Sequence, residues 1–96
     1  MKFIGFWEYC PEDTDKVLEK YKLMAKEREK GTEKYAKTIF GPCHFGGESK
    51  GFTIFETDNM DLLTNIAAFY LPVLTYKFVP IQESSKVAEL YVKSKK

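Results

Sequence analysis

The sequence predicts an α+β fold: four short strands interleaved with two helices, and a third helix at the end. Two kinds of periodicity and one kind of punctuation predict it. Runs rich in aromatic and β-branched residues, such as "KFIGFWEY" at 2–9 and "GFTIFET" at 51–57, have the length and content of strands. Elsewhere apolar residues recur at helical spacing, as in Val17, Leu18, Tyr21, Met24 and Ala25. Proline and glycine mark the boundaries between the two patterns, at Pro11, Gly31, Gly41, Pro42 and Pro72. The 96 residues are enough for one domain, and residues 1–96 are assigned to it.

The elements follow in order. Strand one, 2–9, ends before Pro11. The acidic "EDTD" then offers capping oxygens and negative charge where a helix N-terminus favours both, so the first helix runs from about Glu12 to Lys30 with Gly31 as its stop. "YAKTIFGPCHF", 35–45, is strand-like but contains Gly41 and Pro42, which predicts a bent strand at a sheet edge. "GFTIFET" has no proline and suits the sheet interior. "TDNMD" at 57–61 caps a second helix carrying Leu62, Leu63, Ile66, Ala67, Phe69 and Tyr70 and ending near Pro72. "LTYKFVPI", 74–81, alternates as a strand, and Pro80 makes it another edge candidate. A last short helix, capped by Ser84 or Ser85, places Val87, Leu90 and Tyr91 on one side.

The order β-α-β-β-α-β with a terminal helix is the ferredoxin-like arrangement, whose usual spatial order of strands is four, one, three, two. Strands two and four are then the edges, and they are the two strands that contain proline. Both helices lie on one face of such a sheet, and something must cover the other. Strand one offers Ile4 and Phe6 to one face and Phe3, Trp7 and Tyr9 to the other; strand three offers Phe55 against Phe52 and Ile54; strand four offers Val79 and Ile81 against Tyr76 and Phe78. Neither face is polar. Leaving half a dozen large side chains in water forfeits on the order of 10 kcal/mol, comparable with the whole stability of a small domain. A homodimer packed sheet against sheet is the simplest remedy, and it encloses a barrel-like interior.

Composition narrows the function classes. Fifteen basic against fourteen acidic residues leave a net charge of +1, which gives no field to hold a phosphate backbone or an anionic membrane. The "KEREK" run at 26–30 interleaves both signs, and this run and the "KSKK" tail at 93–96 read as solvated surface. No segment approaches the roughly 20 apolar residues of a membrane span, and the N-terminus lacks the pattern of a cleaved leader. Two cysteines are too few for a disulfide framework, and the expected setting is a reduced cytoplasm.

Four stretches resemble a known group: Trp7 and Tyr9 before Pro11, "HFGG" from His44 to Gly47, "GFTIFETD" at 51–58, and "YKFVPI" ending in Pro80 and Ile81. Over residues 2 to 82 the chain is similar to a family of short, uncharacterised prokaryotic proteins of the dimeric α/β-barrel superfamily. The resemblance implies a dimer with a pocket between sheet and helices. It does not imply one reaction, because that superfamily includes monooxygenases, isomerases and haem-binding enzymes.

The candidate chemistry gathers around "CHFGGESKGF", 43–52. A phosphate loop needs glycines followed by Lys and then Ser or Thr, opening a helix; here Phe52 takes the lysine position and a strand follows, so "GGESKG" reads as a hairpin. Cys10, Cys43 and His44 offer three metal ligands, with Glu8 or Asp13 as a fourth, but residues 43 and 44 point to opposite faces of an extended strand. No metal or other cofactor is assigned. Glu8 and Glu56 read as surface charge rather than as paired carboxylates. If its side chain points away from the helices, His44 would sit at a cavity mouth near Trp7 and Tyr9, where a neutral imidazole could transfer a proton near pH 7. The expected function is therefore to bind a small hydrophobic or aromatic molecule, with Trp7, Tyr9, His44 and Tyr76 as ligand-binding residues. His44 would be the catalytic group should the protein be a cofactor-independent oxygenase or isomerase. The alternative is a non-enzymatic structural or regulatory homodimer whose interior is filled by its own aromatics.

Overall fold

The computed structural model describes residues 1–95; Lys96, the last residue of the "KSKK" run, lies outside the described residues. Four strands, β1 (Lys2–Tyr9), β2 (Lys37–His44), β3 (Lys50–Glu56) and β4 (Leu74–Ile81), form one antiparallel sheet. Its order, β2-β3-β1-β4, is the expected order four, one, three, two read from the other edge. The proline-bearing strands are the edges. With three helices, α1 (Thr14–Glu29), α2 (Met60–Tyr70) and α3 (Ser84–Ser94), the arrangement is α+β and consistent with a ferredoxin-like fold.

Several local expectations are adjusted. Pro11–Asp13 form one 3-10 turn before α1, and no acidic side chain caps that helix; the Asp13 N–H donates instead to Cys10 O (2.8 Å) and Thr14 Oγ1 to Pro11 O (2.6 Å). At α2 the acidic-polar cap is used as expected, the Asn59 side chain accepting from the Asp61 N–H at 2.9 Å. Neither Ser84 nor Ser85 caps α3. Its N-cap is Glu83, whose carbonyl accepts from the N–H groups of Lys86 and Val87. The bend in β2 is a pair of register shifts between Thr38, Phe40 and Cys43, around Gly41 at φ +93°.

The register assigns the two faces. Phe3, Gly5, Trp7 and Tyr9 of β1 stand opposite Pro80, Phe78, Tyr76 and Leu74 of β4, and Phe3 opposite Phe55 of β3. This face lies under α1 and α2 and holds the core: Phe3, Trp7, Phe55 and Leu74 pack with Val17, Met24, Leu63, Ile66 and Tyr70. Lys20 of α1 joins the helices by donating to Phe69 O (2.7 Å) and Leu71 O (3.0 Å), the carbonyls that end α2. The opposite face carries Ile4, Phe6, Phe52, Ile54, Val79 and Ile81 and is covered by no described element; Phe52 stacks there with Phe40 and Phe45 at 6.1 and 6.0 Å.

Nothing in α3 is buried, and Val87, Leu90 and Tyr91 are each about half exposed. The radius of gyration, 15.8 Å, exceeds the roughly 12.5 Å expected of a compact domain of this length.

Candidate functional site

A cavity of about 320 Å³ lies between α1 and the helix-covered face of the sheet. That volume falls at the lower end of the range for small-molecule sites. Its floor is Trp7 and Tyr9 of β1, Thr53 and Phe55 of β3, and Leu74 and Tyr76 of β4; its roof is Val17, Leu18, Tyr21, Met24 and Arg28 of α1. Ile66 and Tyr70 of α2 close one side, and Thr38, Pro42 and His44 of β2 the other.

All four residues expected to form the site line this cavity. Their common location follows from topology: β1 ends, β2 ends and β4 begins at one end of the sheet, and the pairings Trp7 with Tyr76 and His44 with Gly51 fix their spacing. The Trp7 indole Nε1 donates to Thr53 Oγ1 at 3.2 Å, so the buried hydroxyl and the buried N–H satisfy each other. His44 packs edge-on to Trp7 with ring centroids 4.7 Å apart, and its Nε2 shares a 3.0 Å hydrogen bond with Tyr9 Oη. His44 is exposed, at the rim. His44 neighbours Trp7 and Tyr9 on the helix side of the sheet, a parity the sequence leaves open. The register shift in β2 sets this parity, carrying Cys43 opposite Phe52 and His44 opposite Gly51.

Gly51 makes the cluster sterically feasible. A Cβ there would collide with Cys43 O and would lie 2.7 Å from Trp7 Cζ2 and 2.8 Å from His44 Cα. Because the position is bare, the edge of the indole reaches over Gly51 beside the histidine.

The neighbouring stretch is a hairpin. Gly47 takes φ +74°, the Glu48 N–H donates to Phe45 O, and the Phe45 N–H to Lys50 O, both at 3.0 Å. Cys10 and Cys43 are free thiols, and the described residues contain no group of three His, Cys, Asp or Glu side chains able to hold a metal. Glu8 and Glu56 stand opposite Lys50 and Lys2, at the two ends of the β1–β3 ladder.

Sequence reasoning missed Arg28, Tyr70 and Thr53. Burial raises the Tyr70 phenol to about 12 and the Tyr76 phenol further, so both are neutral hydrogen-bonding groups at physiological pH. Burial also lowers the Arg28 guanidinium from its ordinary value. A signal for Arg28 was available: Val17, Tyr21, Met24 and Arg28 follow one another at spacings of four, three and four, so the cation stands on the apolar stripe of α1.

A family model described as a domain of unknown function, DUF3303, matches residues 1–95. The chain belongs to that family. No curated protein and no solved structure matches it. Among the described residues no helix is long and apolar enough to cross a membrane.

Proposed function

We propose that this chain binds a small apolar or aromatic molecule in the cavity between α1 and the sheet. The observation that carries the reading is the cavity itself. About 320 Å³ is left open to solvent on one side among aromatic and aliphatic side chains, with a few converging polar groups, as in small-molecule sites. The hydrogen-bonded Tyr9–His44 pair at the rim is the group that would exchange a proton with a bound molecule, as a cofactor-independent oxygenase or isomerase requires.

The same reading includes a homodimer of the α/β-barrel type, closed over the outer face. Three observations support it. The outer face is apolar and uncovered, and α3 has an apolar side without a partner. The accessible surface is 6849 Å², about 1,100 Å² above the ~5,700 Å² typical of a monomer of this mass. A standard interface buries about 800 Å² per partner, so the surplus is the size of a dimer contact.

Trp7 is the only tryptophan and lines the cavity, which makes its emission the natural readout. A neutral aromatic probe, 3-phenylpropanamide, is expected to change that emission saturably. Val17→Phe, which directs a ring into the cavity from α1, is expected to abolish the change while leaving the circular dichroism spectrum intact. A linear, unsaturable response in the wild type, or an unaltered saturable one in Val17→Phe, would exclude binding at this place.

A further inference from the structure

Arg28 stands apart from the other lining residues. It is the only fixed cation among them, on the last turn of α1. Val17, near the other end of α1, is eleven residues away, or about 16 Å along the axis. The two ends of the cavity therefore differ. The end where β1 finishes carries Tyr9 and His44, and the Arg28 end carries a partly buried guanidinium.

No described carboxylate pairs with that guanidinium. The ion pairs among the described residues join the N-terminus to Asp58, Lys2 to Glu83, and Lys93 to Glu89. Its nearest company is aromatic. The guanidinium carbon lies 5.9 Å from the centre of the Tyr35 ring, and Tyr70 and Tyr76 are the other groups whose charge would reach it. Both of these phenols are held protonated by burial, so neither supplies the missing negative charge. A guanidinium partly withdrawn from water without an anion loses hydration that an ordered carboxylate would replace through two parallel hydrogen bonds.

We propose that Arg28 is an anion-binding residue and that the ligand of this cavity is an amphiphilic organic carboxylate, with its carboxylate on Arg28 and its apolar body against Trp7, Met24 and Tyr76. One fixed positive charge matches one negative charge. The helix that carries Arg28 ends rather than begins at this point, so α1 offers the anion a side-chain guanidinium and no helix N-terminus of the kind a phosphate would use. The proposal rests on the reading of the cavity as a binding site and adds the chemical class of what it holds.

The test compares 3-phenylpropionate with 3-phenylpropanamide, which share a body and differ in charge, using Trp7 emission on the full chain. The wild type is expected to bind the acid roughly tenfold or more tightly than the amide. Arg28→Met should erase that preference, bringing the acid to the affinity of the amide in the same variant, and Arg28→Lys should keep part of it. An unchanged circular dichroism spectrum and thermal melt establish that the variant is folded. Equal wild-type affinities for the two probes, or a preference that survives in Arg28→Met, would overturn the anion assignment and leave the cavity reading standing. Binding of neither probe would overturn both.

Discussion

The two faces of the sheet are similar in composition and opposite in fate. The helix-covered face carries Phe3, Trp7, Phe55, Tyr76 and Phe78, and the outer face Phe6, Phe52, Ile54, Val79 and Ile81. Under the helices, where burial is complete at Phe55, Leu63 and Ile66, the packing is nonetheless interrupted by a cavity. On the outer face only the Phe40, Phe45 and Phe52 rings stack on one another, no helix covers them, and Phe6 and Phe40 remain exposed. Hydrophobicity alone therefore does not distinguish the proposed ligand site from the proposed assembly surface. What differs is where the polar groups stand: Thr53, Tyr9, His44 and Arg28 line the cavity itself, whereas the charges of the outer face, Lys2, Glu8, Lys50, Glu56 and Lys77, surround its apolar centre.

The largest expected effect separates the faces by assembly. Phe52, flanked by the Phe40 and Phe45 rings, lies within the outer apolar patch. In the proposed dimer, Phe52→Glu is expected to raise the dissociation constant by at least about a hundredfold, because it would set a carboxylate in an apolar interface. Sedimentation equilibrium reads this directly, and an unchanged assembly state would remove the outer face from the interface.

The next effect probes the close approach on the cavity side. Gly51→Ala places a methyl group against Cys43 O and the Trp7 ring, and it is expected to destabilise the fold by about 2–4 kcal/mol in urea unfolding. The wild-type tryptophan emission should shift as well. A neutral outcome would mean that the indole has room to move and that the spacing to His44 is not fixed by this contact.

The third prediction concerns pH. The folded-state pKa of Tyr70 is raised from 10.0 to about 12 and that of Tyr76 is raised further, both chiefly by burial. Above pH 10 the unfolded chain releases these protons while the folded chain retains them, so stability is full below pH 10 and falls as pH rises toward 12. Tyr70→Phe should flatten part of that decline in a series of thermal melts; an identical slope in the variant would refute the assignment.

The smallest effect is expected at the exposed Lys2–Glu83 pair, 2.8 Å apart, where the pKa of Glu83 is lowered and that of Lys2 raised by their mutual hydrogen bond. Its contribution is lost as pH falls through the Glu83 pKa or rises through the Lys2 pKa, and it is constant between them. Glu83→Gln should leave melting at neutral pH unchanged within error, as befits a solvated ion pair. A clear drop would show that this pair, at the base of α3, helps hold the helix in place.

The strands and their edges were legible because proline and alternation act locally: Pro42 and Pro80 marked β2 and β4 before any pairing was known. The gathering of Trp7, Tyr9, His44 and Tyr76 was legible from topology. The face they occupy was not, because both parities of β1 are aromatic and because β2 changes register twice before reaching His44. Arg28 was hidden for a different reason. It sits within "KEREK", where neighbouring charges make the run look uniformly solvated, and only its spacing from Met24 and Tyr21 shows that one of those charges turns inward.

The central claim, a hollow face and a paired face on one sheet, is tested most directly by a crystal structure grown with 3-phenylpropanamide. The account predicts density for the probe between α1 and the sheet, against Trp7, Met24 and Tyr76, and a two-fold related copy seated on Phe6, Phe52 and Ile54. A cavity closed by side chains with the probe bound elsewhere, or an outer face left to solvent, would contradict it.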